Sequence, residues 1–136
     1  MATTLYDICV DVNNNFPNFP LQVLKNGIAV ALDSINVPYK KDVSFVIKYM
    51  DKIIGEDICD FLLNGVPCIV GSSTAIGFSE KSLATKIIRC ISEFNSPTGL
   101  VIIFKANDMY YQPVIIREYN SDGSLKNEFA GRISLM

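Results

Sequence analysis

Residues 100–104, Leu-Val-Ile-Ile-Phe, form an unbroken apolar run of strand length. Such a run is stable only where both faces of the strand are covered, so a central strand is expected there. Two turn signals follow it, Asn107-Asp108 and Asp122-Gly123, with "MYYQPVIIREY" between them. After the second, Leu125, Phe129, Ile133 and Leu135 alternate with Lys126, Glu128, Arg132 and Ser134, the period of a half-buried strand. The pattern predicts a three-stranded antiparallel meander from about Gly99 to Leu135. A two-residue loop at Asp122-Gly123 sets its register, with Ile116 opposite Phe129 and Arg117 opposite Glu128. Pro113 has no N–H for a ladder, so either regular pairing starts near Val114 or a bulge sits at the proline.

Upstream, Thr4 and Asp7 make a capping-box start for a short helix carrying Leu5, Ile8, Cys9 and Val12, although the same residues also suit a strand. "NNNFPNFP" breaks it. Residues 21–35 match both a helix and a hairpin, and Asn26-Gly27, at home in a type I′ turn and costly inside a helix, favours the hairpin. From Asp42, the spacing of Val43, Val46, Ile47, Met50 and Ile54 predicts an amphipathic helix. A second short helix over "EDICDFLLNG" would end at Asn64-Gly65. Strand "PCIVG" and a loop over Gly71–Ser79 lead to a helix from about Glu80, capped by Ser79, with Leu83, Ile87, Cys90, Ile91 and Phe94 on its buried stripe. The expected fold is a single compact α+β domain over residues 1–136. Its mainly antiparallel sheet, closed by the C-terminal meander, packs against about three to four helices.

Hydrophobic residues make up 49% of the chain and charged residues 19%, below the roughly 25% usual for soluble domains. Apolar groups must therefore reach the surface, and where they gather into a patch they mark a contact with another molecule. The net charge of -2 argues against nucleic acid, which requires a clustered basic surface. Lys40, Lys41, Lys48 and Lys52 are interleaved with Asp42 and Asp51 and read as a solvated face. No run reaches the roughly 18 apolar residues of a membrane span, and the first residues do not read as a signal peptide. Cys9, Cys59, Cys68 and Cys90 form no C-x-x-C pair, so buried free thiols and a cytoplasmic location are expected.

The chain has no histidine, which removes Ser-His and Cys-His nucleophilic pairs and the H-E-x-x-H zinc site. No metal or cofactor motif is present, and an enzyme is not expected. Cys68 sits among apolar neighbours and reads as inert. "GSSTAIGFS" lacks the glycine and lysine spacing of a phosphate loop, yet Ser72 and Ser73 at a strand end, with Lys81 or Lys86 to hold an anionic group, form an alternative ligand site. Asp7 with Asp11, and Glu56 with Asp60, place like charges at helical i, i+4 spacing. Such pairs suit an acidic docking face. Tyr110 and Tyr111 alternate faces of a strand, making Met109–Pro113 a candidate contact edge.

The leading expectation is a non-catalytic protein-binding module, such as a small acidic inhibitor or immunity-type protein neutralising another protein. Met109, Tyr110, Tyr111, Glu56 and Asp60 would be its contacts, and an acidic face would steer a basic partner. The alternatives are a small-molecule or anion-binding protein, or histidine-free enzyme, using the Gly71–Ser79 loop through Ser72, Ser73 and Lys81, and a structural subunit of a homo-oligomer.

Overall fold

The computed structural model describes residues 2–105 and 113–130. Two helices, α1 (Ala2–Asn15) and α2 (Leu21–Ser34), precede strands β1 (Tyr39–Tyr49), β2 (Lys52–Leu63) and β3 (Val66–Ser72). Helix α3 (Glu80–Glu93) then leads to β4 (Thr98–Phe104), β5 (Val114–Asn120) and β6 (Leu125–Ala130). The strands lie in one sheet in sequence order, β1-β2-β3-β4-β5-β6. β3 and β4 pair in parallel, as their connection through α3 allows, and the other neighbours pair antiparallel.

The alternation of β4 organises the interior. Leu100, Ile102 and Phe104 pack with α1 and α2 residues such as Leu5, Cys9, Leu24, Ile28 and Leu32. Val101 and Ile103 pack on the opposite face with Ile87, Cys90 and Ile91 of α3. The sheet is thus covered on both sides, and β4 lies inside it, as its unbroken apolar run requires. Glycines bring α3 close. A Cβ at Gly99 would lie 2.7 Å from Ile87 Cγ1 and 2.8 Å from Ile91 Cγ1, and one at Gly71 would lie 2.5 Å from Leu83 Cδ1.

This architecture corrects the expected fold. The chain has three helices among its described residues and one mixed six-stranded sheet, in place of a mainly antiparallel sheet closed by a separate meander against three to four helices. The two helices expected between Asp42 and Gly65 are strands β1, β2 and the turns that bound β2. Met50 and Asp51, at φ 50° and 64°, turn β1 into β2, and Asn64 and Gly65, at φ 52° and 85°, turn β2 into β3. Both are two-residue turns with two positive φ angles, the twist a hairpin needs. The valines and isoleucines of this stretch favour a pleated strand over a helix.

The hairpin expected at residues 21–35 is instead helix α2. Leu24, Ile28 and Leu32 bury one face of it, and Gly27 lets α1 approach, since a Cβ there would lie 3.0 Å from Val12 Cγ1. That packing offsets the roughly 1 kcal/mol a mid-helix glycine costs. α1 also runs to Asn15, through the first three asparagines.

Ser79 caps α3, its side chain accepting from Ser82 N–H at 3.2 Å. Between β5 and β6 the pairs Ile116 with Phe129 and Arg117 with Glu128 form as the sequence spacing sets them. The loop, however, spans residues 121–123, with Asn120 N–H bonded to Ser124 C=O, and a register shift beside Tyr119 restores the pairing. Meander residues 106–112 and 131–136 lie outside the described residues.

Candidate functional site

β1 and β2 pair along their whole length, from Tyr39 opposite Leu63 to Tyr49 opposite Lys52. β2 pairs with β3 only through Phe61, Leu62 and Leu63. From Asp60 outward the two strands therefore form a ribbon that leaves the sheet, about 25 Å long for residues 52–59 at roughly 3.3 Å per residue.

The branch point is closed by side chains. Asp60 Oδ2 accepts the backbone N–H of Val70 at 2.7 Å, so a carboxylate occupies the position a β2 carbonyl would take in a continuous ladder. Asp60 Oδ1 pairs with Lys25 Nζ of α2 at 2.7 Å, and Lys25 also reaches Asp42 Oδ1 at 3.6 Å. Burial alone would pull the Lys25 pKa down, but the hydrogen bond and charge of Asp60, with those of Asp42, outweigh it and raise the pKa. The ammonium is held charged between two carboxylates.

The ribbon then bends over α3. Cross-strand neighbours Phe45 and Asp57 face the helix. Phe45 is buried and meets Phe94 edge-on at 6.0 Å, while Asp57 Oδ1 pairs with Lys86 Nζ at 3.1 Å. At the ribbon's base the Cys59 thiol lies against Cys90 of α3, and this contact, more than burial, raises the Cys90 pKa. Four thiols, Cys9, Cys59, Cys68 and Cys90, are free and buried, and desolvation raises that of Cys68, which leaves it unreactive.

Strand alternation puts Val46, Ile53 and Ile58 on the opposite face, with Ser44, Lys48 and Glu56, and along the β1 edge Val46 and Lys48 also border the hollow beside α3. Ile53 is 63% exposed, Ile58 45%, Tyr49 65% and Met50 78%. Ile54 is the extra residue of a bulge, unpaired between Ile53 and Gly55, and is also exposed. Elsewhere the exposed large apolar residues stand singly, such as Val30 on α2 and Ile76 in the β3–α3 loop, or as the pair Phe16 and Phe19, whose rings meet edge-on at 5.4 Å. The ribbon therefore gathers five of them on one hairpin, flanked by Lys48, Lys52 and Glu56. A surface of this kind binds by burying apolar side chains and orienting with its polar rim.

Among the sequence-derived candidates, Glu56 stands exposed on this face. Asp60 does not join it. It belongs to β2 rather than a helix, is 8% exposed, and is spent on Lys25 and Val70. Met109, Tyr110 and Tyr111 lie outside the described residues. Ser72 is buried, its hydroxyl sharing a hydrogen bond with Thr74, and Ser73 N–H bonds Phe104 C=O. Lys81 lines a groove beside Ile47 and Asp57 that contains neither serine. Among the described residues, no cluster of three or more acids or thiols could hold a metal ion, and no helix is long and apolar enough to cross a membrane.

The helical stripe expected from Asp42 takes in only Met50 and Ile54 of these five residues and leaves out Tyr49, Ile53 and Ile58, so that period does not reveal the ribbon. The available signal was Met50-Asp51 between two runs rich in valine and isoleucine.

No family model and no curated protein matches the chain. Among solved structures, the crystal structure of SSO0001 resembles it with a TM-score of 0.51 at 12% identity, over 85% of this chain. The chain spans 65% of that protein's length. This is a likeness of fold alone.

Proposed function

We propose that the chain is a non-catalytic protein-binding module, of the kind represented by small inhibitors and immunity proteins, acting in the cytoplasm. The observation that carries this reading is the β1–β2 ribbon, which leaves the sheet at a buried ion pair and presents Tyr49, Met50, Ile53, Ile54 and Ile58 to solvent. Apolar groups held on a braced hairpin are pre-organised for contact, which lowers the ordering cost of binding. The absence of histidine from the sequence supports a binding role over acid-base chemistry. Four free, buried thiols suit a reducing compartment.

The reading is tested by affinity capture with tagged protein from its source cells, comparing the native chain with Ile53→Lys/Ile58→Lys, alongside light scattering of the purified protein. A stoichiometric partner recovered by the native chain and lost by the variant is the expected result. A multiple of the subunit mass that the variant abolishes, with no second protein recovered, would instead assign the ribbon to a homo-oligomer.

A further inference from the structure

The geometry points to the trough between α3 and the β1–β2 ribbon as a seat for an extended acidic segment of a partner protein. This inference rests on the protein-binding reading and names the chemistry of what is bound. Two adjoining depressions of about 400 and 320 Å³ share Thr85 and Arg89 and form one trough along α3. Val46, Ile47 and Ile88 supply its apolar lining. Around them stand four cations against two carboxylates, in a chain whose net charge is -2. Locally the charge is opposite to that of the whole molecule.

Lys86 is neutralised by Asp57. Among the described residues, no ion pair or hydrogen bond engages the side chain of Lys48, Lys81 or Arg89, although Thr85 Oγ1 donates to the Lys81 backbone carbonyl. Lys81 and Arg89 are both exposed on α3 and lie roughly 12 Å apart along its axis. A strand rises about 3.3 Å per residue, so acids at positions i and i+4 of an extended peptide span that distance, with residue i+2 on the same side. The matching segment reads acid-x-aliphatic-x-acid, the aliphatic side chain resting against Ile88 and Ile47. The charges set orientation and association rate, and burial of the aliphatic group retains the segment.

Nucleic acid fits the trough less well. Backbone binding draws on about six to ten phosphate contacts where three free cations are offered, and the lining holds no aromatic ring on which a base could stack.

The probe is a fluorescently labelled peptide, Gly-Asp-Ser-Leu-Ser-Glu-Gly, titrated by anisotropy against the full chain. Its Asn/Gln counterpart and a twelve-nucleotide single strand serve as comparisons, and Lys81→Gln/Arg89→Gln as the variant, with circular dichroism confirming its fold. The expected result is binding of the acidic peptide alone, weakened about tenfold by the double substitution and by moderate salt. No binding, equal binding of the neutral peptide, unchanged affinity in the variant, or tighter binding of the oligonucleotide each overturns it. If the peptide fails while Ile53→Lys/Ile58→Lys still abolishes partner capture, the inference falls and the protein-binding reading stands. If partner capture itself is absent, that reading falls first.

Discussion

Asp60 accepts the Val70 N–H at 2.7 Å where β2 parts from β3. One side chain thereby ends a strand pairing that would otherwise continue, and the same carboxylate ties the branch to α2 through Lys25. Removing it leaves the buried Val70 amide without its acceptor and the part-buried Lys25 ammonium with only the more distant Asp42 at 3.6 Å. Asp60→Ala is expected to lower stability by about 3 kcal/mol in urea unfolding. Asp60→Asn keeps an acceptor for Val70 and should cost less. Because the folded pKa of Lys25 is raised, the contribution of its pairing is complete below the ordinary lysine value of 10.5 and is lost only as pH climbs through the higher folded value. A stability profile flat from pH 7 to 9 at this pair is the corresponding check.

Acid acts elsewhere. Arg117 of β5 donates to Glu80 at the start of α3 and to Glu128 of β6, and the hydrogen bond and charge of Arg117 hold the Glu80 carboxyl below its ordinary value of 4.5. Its stabilisation is present above pH 4.5 and disappears as pH falls through the depressed folded value. Melting temperatures measured from pH 6 to 3 should fall less steeply in Glu80→Gln than in the native chain.

The glycines under α3 make a sharper structural test. Gly99→Ala would drive a methyl group into Ile87 and Ile91, both buried, and should cost about 1–3 kcal/mol, seen as a Tm lower by roughly 5–10 °C. Gly55→Ala, on the ribbon with nothing within 4 Å, should stay within about 0.5 kcal/mol of the native chain.

The parts of the fold legible in the sequence were those where one period had no competitor. The β4 run, the α3 stripe with its Ser79 cap, and the pairing of Arg117 with Glu128 all follow from local pattern. Residues 21–63 did not yield, because their signals compete. Asn26-Gly27 is a good hairpin turn, but burial of Leu24, Ile28 and Leu32 and the close approach of Val12 outweigh it. Val43, Val46, Ile47 and Met50 fit helical spacing, yet a turn at Met50-Asp51 and β-branched side chains place them on a ribbon. The site is hidden for the same reason: Met50 and Ile54 also satisfy a helical stripe, while Tyr49, Ile53 and Ile58 fall off it and gather only once the chain is extended. Asp60 required a tertiary fact, since nothing local announces a partner on α2.

Site-specific photocrosslinking in source cells tests the ribbon as a contact surface directly, with a benzophenone amino acid in place of Ile53 on the ribbon or Val30 on α2, both more than 60% exposed. A discrete adduct with another protein is expected from position 53 and none from position 30. Equal adducts from both positions, or none from position 53, would contradict it.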